Sequence, residues 1–269
     1  MTSFFARREH LARTGSTNDV VRAWLTTGTP EVCVATAGEQ TAGRGREGRR
    51  WVAPPGAALL ASLGFRPTWL EPDKVWRLAA LTSLAMAEAG EMAAGLPVGT
   101  IGLKWPNDLV IATGPTDVRK VAGVLGETDG LGTADPRVVV GIGLNADWAA
   151  ADFPPDLAAT MTSLSEAAGG RPVDPRALLE AFLALLEPAV VGLRAGTFDG
   201  AGWEGRQVTT DRTIRLETPD GDDLVRALGV DPSTGALIVD DVAVPNGRRH
   251  VVVGEIRHVR LADLIAEAV

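Results

Sequence analysis

Between Gly38 and Trp51 the chain reads Gly38-Glu39-Gln40-Thr41-Ala42-Gly43-Arg44-Gly45-Arg46-Glu47-Gly48-Arg49-Arg50-Trp51. Glycines let a backbone fold closely over a ligand, and guanidinium forks offer paired donors to carboxylate and phosphate oxygens. A loop built from both can hold a carboxylate beside the α-phosphate of a nucleotide, two anions that otherwise repel. Gly43, Gly45 and Gly48 also satisfy the G-x-G-x-x-G pattern of dinucleotide-binding loops, which work by aiming a helix N-terminus at a pyrophosphate. Here Trp51-Val52-Ala53-Pro54-Pro55-Gly56 follows, a stretch that does not start a helix, so that reading fails. A solvated basic loop is the plain alternative. It would be preferred for one or two arginines, but not for Arg44, Arg46, Arg49 and Arg50 together in a chain of net charge −8.

Three further islands carry groups of the same kind. Lys104-Trp105-Pro106-Asn107-Asp108 lies at the end of a strand. Lys104 there suits phosphate, while Asn107 and Asp108 suit a purine, a ribose or Mg²⁺. Taken alone it is also an ordinary turn, with Trp105 in the core. Arg119-Lys120-Val121-Ala122-Gly123-Val124-Leu125 puts Lys120 at the mouth of a buried strand. Gly141-Ile142-Gly143-Leu144-Asn145 ends a strand with glycines that permit close approach of a ligand.

The elements that must position these groups are legible from periodicity and punctuation. Ser16-Thr17-Asn18-Asp19 reads as a helix start with a capping hydroxyl, followed by an apolar stripe of Val20, Val21, Trp24 and Leu25. Val32 to Ala35 and Ala57 to Phe65 read as strands. A long helix is expected from Asp73 to Ala94 and stops at Gly95. Strands are expected at Ile101 to Lys104, Leu109 to Ile111, Val121 to Leu125 and Val138 to Ile142. A second long helix opens at Asp174-Pro175 and should be kinked by Pro188. After Trp203 short alternating runs (Thr213 to Leu216, Leu237 to Val239, Val251 to Val253) alternate with turns at Pro219-Asp220-Gly221 and Pro245-Asn246-Gly247, which suggests a small β-barrel. Leu261 to Ala268 reads as a final short helix. The expectation is an α/β domain over 1–203 and a small β-domain over 204–269.

Composition narrows the field. With 269 residues and 45% apolar content the profile is that of a soluble globular protein. The acidic balance argues against a protein whose main task is gripping nucleic acid. Cys33, the single cysteine, sits in an apolar run and reads as a buried inert thiol. His10, His250 and His258 are scattered, so a structural zinc is not expected. The N-terminus lacks the order of a signal peptide and no apolar stretch reaches membrane-spanning length, which together suggest a cytoplasmic enzyme.

Taken in order, Gly15-Ser16-Thr17-Asn18, Gln40-Thr41-Ala42-Gly43-Arg44-Gly45-Arg46, Lys104-Trp105-Pro106-Asn107-Asp108, Lys120-Val121-Ala122-Gly123 and Gly141-Ile142-Gly143-Leu144-Asn145 resemble the biotin–protein ligases. Gly254-Glu255-Ile256 extends the resemblance faintly to the C-terminal module. Five ordered islands are far more specific than any one motif. The resemblance implies a mixed-sheet catalytic domain of the biotin/lipoate ligase type, related to class II aminoacyl-tRNA synthetases, with an SH3-like C-terminal barrel. It implies that Ser16, Thr17, Asn18 and Gln40 line a biotin pocket walled by Gly141 and Gly143. Arg44, Gly45 and Arg46 would close over biotin and the nucleotide phosphate, and Lys120 would meet the biotin carboxylate and α-phosphate. Trp51 would stack on adenine, with Arg46, Arg49, Lys104, Asn107, Asp108 and Asn145 serving ATP and Asp108 its Mg²⁺.

The implied reaction is ATP-dependent formation of biotinyl-5′-AMP, with Lys120 and Arg46 carrying the largest rate effects. Transfer to a lysine of a biotin carboxyl carrier domain of a biotin-dependent carboxylase follows. Two departures stand out: the insert from Ala112 to Arg119, which bears on the position of Lys120, and Gly126 where a bulkier apolar residue is expected. Too few residues precede Gly15 for a helix-turn-helix, so the form expected is one that does not bind DNA. The competing readings are a lipoate–protein ligase on the same fold and a non-catalytic nucleotide- or nucleic-acid-binding module.

Overall fold

The computed structural model describes residues 3–114, 117–219, 221–241, 247–253 and 258–261. A seven-stranded mixed sheet forms its centre. It is built from β1 (Arg7–Leu11), β2 (Cys33–Ala37), β3 (Ala58–Phe65), β4 (Ile101–Lys104), β5 (Asp108–Ala112), β6 (Val118–Asp129) and β7 (Arg137–Asn145). The spatial order is β1-β2-β3-β7-β6-β5-β4. β1 runs parallel to β2, and every other neighbouring pair is antiparallel.

Successive side chains of a strand point to opposite faces, and the apolar residues sort accordingly. Val32, Val34, Val138 and Val140 join the large core. Cys33, Ala35 and Val139 join a smaller cluster with Val21, Trp24 and Leu25. The large core lies under α2 (Trp76–Ala94) and a long helix at Pro175–Arg194. The small one lies under α1 (Thr17–Thr26). A ten-residue helix cannot cover a seven-stranded sheet, and the functional cavity occupies what α1 leaves bare.

Between β7 and the long helix run two single-turn helices, α3 (Pro155–Ala158) and α4 (Leu164–Ala167), so the long helix is α5 (Pro175–Arg194). α6 (Gly200–Gly205) then leads into five antiparallel strands. These are β8 (Thr213–Thr218), β9 (Gly221–Val230), β10 (Leu237–Asp240), β11 (Arg248–Val251) and β12 (His258–Leu261), in the order β11-β10-β9-β8-β12. The mixed α/β architecture with a second, smaller β unit is the one expected.

Several local expectations are corrected. Ser16 stands at the N-cap of α1 but its side chain makes no capping hydrogen bond, because it faces the cavity. The helix expected from Asp73 starts at Trp76, behind a 3₁₀ turn at Pro72–Lys74. α5 runs from Pro175 to Arg194 without interruption at Pro188. β11 ends at Val251, so the expected run Val251 to Val253 is shifted toward the N-terminus. Leu261 closes β12 rather than opening a helix. Gly254-Glu255-Ile256, Pro245-Asn246 and the rest of the expected helix at 261–268 lie outside the described residues. Among the described residues no helix is long and apolar enough to cross a membrane.

Candidate functional site

A cavity of about 450 Å³ opens beside the N-terminus of α1. Its floor is the face of β6 and β7 that carries Gly123, Leu125, Gly141 and Gly143. Gly123 faces Gly143 across the strand pair, and Leu125 faces Gly141. The loop from Arg44 to Val52 covers one side, and Leu157, Thr160 and Met161 another. Lys104, Asn107 and Asp108 lie at the strand ends, and Arg260 and Leu261 of β12 close the rim. Every residue assigned to the site from sequence except Asn145 lines this one space.

The glycines of the floor have a sharper role than permitting close approach of a ligand. A Cβ on Gly141 would sit 2.1 Å from Asn18 Oδ1, and one on Gly143 would sit 2.3 Å from Trp51 Cε2. They make room for the site's own side chains. Asn18, 5% exposed, is held there by a polar chain. Its Nδ2 donates to Glu127 Oε2 at 2.6 Å. Its Oδ1 lies 2.5 Å from Ser62 Oγ, which is in turn 2.7 Å from Thr17 Oγ1. Gln40 Oε1 accepts the Thr17 amide at 2.7 Å and lies 3.0 Å from the Thr17 hydroxyl. Buried polar atoms are costly unless bonded, so this chain specifies one arrangement.

The cations fall into two groups. Arg44 makes a two-pronged bond to Asp19 at 2.7 and 2.8 Å and reaches Glu127 at 3.4 Å. The hydrogen bond and charge of Arg44 hold the Asp19 carboxyl below the usual range despite partial burial. Arg44 therefore ties the loop to α1 and β6. Arg46 donates to Val253 O at 3.1 Å, tying the same loop to the C-terminal unit, and burial lowers its affinity for its proton. Arg49 and Arg50 also line the cavity, and Arg50 donates to Thr41 O at 3.2 Å.

At the strand ends Lys120 Nζ meets Asp108 at 2.5 Å, and Lys104 Nζ lies 4.0 Å from the same carboxylate. Burial pulls the Lys104 ammonium below the ordinary lysine range. Asp108 opposes that shift and Lys120 adds to it. The ring of Trp51 is centred 5.6 Å from Lys120 Nζ.

The insert does not displace Lys120. At its base Ala112 pairs with Val118 and Thr113 N–H donates to Asp117 O at 3.0 Å. Beyond the end of β7 the segment at 160–162 takes over its place beside β6. Lys120 N–H donates to Thr160 O at 2.8 Å and Lys120 O accepts from Thr162 N–H at 2.9 Å. Both backbone groups of the lysine are thus held by this one segment.

Asn145 is the exception. It is fully buried, donates to Thr162 O at 3.0 Å and does not reach the cavity wall. It braces the segment that clamps Lys120. Asp108, assigned to Mg²⁺ from sequence, is engaged by Lys120. Among the described residues no three His, Cys, Asp or Glu side chains come together to hold a metal. Among the described residues there is thus no metal site built from protein ligands alone. Sequence reading passed over Glu127, Ser62, Asp19 and Arg260. Only Ser62 left a signal, as a polar residue inside the apolar strand Ala58–Phe65.

Residues 11–145 match the model of the biotin/lipoate A/B protein ligase family. The chain is 33% identical over 255 residues to a biotin--[acetyl-CoA-carboxylase] ligase of Mycobacterium tuberculosis, covering 93% of this chain and 88% of that one. It is 34% identical to the protein of the same name from Paracoccus denitrificans, over 91% of this chain and 98% of the relative. Against the bifunctional ligase/repressor BirA of Bacillus subtilis it is 31% identical, over 78% of this chain and 62% of the relative. The fold matches that of the Aquifex aeolicus biotin protein ligase in complex with biotin and ATP, with a TM-score of 0.77 at 24% identity. That match covers 96% of this chain and 100% of the other. The chain belongs to the biotin/lipoate A/B protein ligase family.

Proposed function

We propose that this chain is an ATP-dependent biotin–protein ligase, which joins biotin to ATP as biotinyl-5′-AMP and passes the biotinyl group to a protein lysine. The observation that carries the reading is one cavity holding two kinds of chemistry. At one end is a fixed set of neutral donors and acceptors (Thr17, Asn18, Gln40), and at the other a cluster of cations (Arg46, Arg49, Lys104, Lys120). The neutral end suits a ureido ring, and the apolar wall (Leu125, Ile142) suits the thiophane and its chain. Lipoate offers no polar ring to satisfy the neutral end, and a site built to hydrogen-bond a ligand discriminates strongly against one that cannot. The lipoate alternative falls behind on that ground.

In the first step an oxygen of the biotin carboxylate forms a bond to the α-phosphorus of ATP, and the bond from that phosphorus to the bridging oxygen breaks, releasing pyrophosphate. Lys120 and Arg46 are the groups we assign to hold the two anions together and to stabilise charge on the reacting phosphoryl oxygens. Trp51, Arg49, Lys104, Asn107 and Asp108 are assigned to the nucleotide end. Magnesium belongs to the nucleotide substrate, which brings it in. In the second step the acceptor amine forms an amide with the biotinyl carbonyl, the carbonyl–oxygen bond to AMP breaks, and the amine gives up a proton.

The acceptor proposed is the carrier domain of a biotin-dependent carboxylase, with acetyl-CoA carboxylase first among them, and the place of work the cytoplasm. Division into a catalytic unit (1–203) and a C-terminal unit (204–269) is retained as a proposal. The test is incubation of purified protein with biotin and ATP–Mg²⁺, with mass spectrometry for the adenylate and a parallel incubation with lipoate. Adenylate from biotin alone is expected. Adenylate from lipoate alone would reassign the substrate, and none from either would end the reading.

A further inference from the structure

Resting on that reading, we infer that Asp117 is the steering group for the second step: its carboxylate draws the ammonium of the acceptor lysine into a cavity whose other charges repel it.

The two steps place opposed electrostatic demands on one space. Adenylate formation needs cations, and Arg46, Arg49, Lys104, Lys120 and Arg260 supply them. Transfer needs a lysine side chain, which reaches the protein as an ammonium because its ordinary pKa is about 10.4. That ammonium has to pass the same cations. A carboxylate at the entrance offsets the repulsion, and among the described residues lining the cavity only Asp108 and Asp117 carry one.

Asp108 is already engaged, with Lys120 Nζ at 2.5 Å and Lys104 Nζ at 4.0 Å. Asp117 differs on each count. It is exposed where Asp108 is buried. No ion pair among the described residues includes it, because the cations that follow it in the chain are turned elsewhere, Arg119 to Glu166 at 3.5 Å and Lys120 to Asp108. Its side chain is nevertheless oriented. Thr113 Oγ1 donates to Asp117 Oδ2 at 2.7 Å and Thr113 N–H donates to its backbone carbonyl at 3.0 Å, which leaves Oδ1 to accept from an incoming group. An oriented carboxylate with no cation of its own, on the rim of a cationic cavity, is suited to a cation that arrives from outside.

Asp117 stands three positions before Lys120, about 10 Å of extended chain. It therefore meets the ammonium at the mouth and takes no proton in the bond-making step. Its effect falls on encounter, the stage at which charge complementarity acts most. The nucleotide does not suit this position, since its phosphates carry charge of the sign that Asp117 repels.

The test follows the two steps separately in wild type, Asp117→Asn, Asp117→Lys and Asp117→Glu. A biotin carboxyl carrier domain serves as the acceptor, and hydroxylamine, a small nucleophile uncharged at neutral pH, captures the adenylate in parallel. Asn keeps an oxygen for Thr113, so that contact is preserved. Asp117→Asn should raise the KM for the carrier domain about fivefold, the scale of one exposed ion pair, and Asp117→Lys about 25-fold. Asp117→Glu should stay within about twofold of wild type, as should the transfer kcat, hydroxylamine capture and the KM values for biotin and ATP in every variant. High salt should close the gap between wild type and Asp117→Asn. An unchanged carrier KM in Asp117→Asn would overturn the inference, and so would equal losses with hydroxylamine. A raised ATP KM in that variant would overturn it too, by placing Asp117 on the ribose hydroxyls. Wild type that makes the adenylate but does not acylate the carrier lysine would sink the inference and leave the adenylation reading standing. An inactive wild type would remove both.

Discussion

Asp108 stands between two lysines, and the three behave differently because they are buried differently. Lys120 is pinned to it at 2.5 Å, while Lys104 lies 4.0 Å away and is the more enclosed. Substrate anions entering the cavity must compete with that carboxylate for Lys120. This is why removing the lysine removes both the attraction and the order of the site. Lys120→Ala and Arg46→Ala are each expected to lower the rate of adenylate formation by two or more orders of magnitude, the scale of losing one preorganised cation. Single-turnover measurements check this, and near wild-type rates in either variant would take that residue off the catalytic list. Lys104 adds a pH dependence. Its folded-state pKa is depressed by burial, whereas in the unfolded chain it sits near the ordinary value of about 10.4. Between the two values the unfolded chain binds more protons, so this residue makes stability rise with pH across that window. Its charge is lost over the same window, so the KM for ATP should climb there. Lys104→Arg, which does not titrate, should flatten the climb; an identical alkaline limb in that variant would assign it elsewhere.

At the scale of elements, two helix starts with similar sequence signals do different things. Asp174 caps α5, its side chain accepting from Arg176 N–H at 2.9 Å. Ser16 occupies the same position on α1 and makes no such bond. Asp174→Ala should therefore cost about 1 kcal/mol of stability and leave biotin binding alone. Ser16→Ala should leave the unfolding midpoint nearly unchanged and weaken biotin binding. Denaturant unfolding beside calorimetric titration separates them, and a stability loss in Ser16→Ala would make it a cap after all. The pair shows where sequence reading stops. It recognises residue types at helix starts, but not whether a hydroxyl is spent on the backbone or turned toward a cavity. Strands with alternating or continuous apolar runs were legible for the same reason that they are buried. β9 was not, because Asp222, Asp223 and Leu224 face solvent and leave no apolar rhythm until Ala227. Glu127 was illegible because its meaning lies in Asn18, 109 positions earlier. The segment at 160–162 was missed because it contributes hydrogen bonds to Lys120 rather than a strand long enough to show a period.

Across the whole molecule the C-terminal unit is joined to the cavity as well as to the chain. Leu103 N–H donates to Arg206 O at 2.7 Å, Trp105 Nε1 donates to Gly235 O at 3.0 Å, and Arg46 reaches Val253 O. Arg260 and Leu261 stand in the cavity rim. The anchor of this arrangement is Glu91 on α2. Its side chain is 3% exposed and accepts from Gly99 N–H, Ile101 N–H and both terminal nitrogens of Arg206, at 2.7 to 3.1 Å. Arg206 lies at the start of the second unit, so the pair fixes where that unit leaves the first. Arg206→Ala strands a buried carboxylate, and such a loss typically costs about 3–5 kcal/mol. Replacing both partners, as Glu91→Gln with Arg206→Met, should recover a large part of that cost because no charge is then left buried. Below the unfolding transition, Arg206→Ala should raise the KM for ATP several-fold, since Arg260 and the Val253 carbonyl lose their fixed approach to the nucleotide end. The biotin affinity measured without ATP should hold, because the chain from Gln40 to Glu127 lies entirely within the first unit. Thermal unfolding together with separate biotin and ATP titrations decides the matter. If the single variant loses biotin and ATP affinity in equal measure, the second unit is packing for the whole fold and has no particular hold on the nucleotide end.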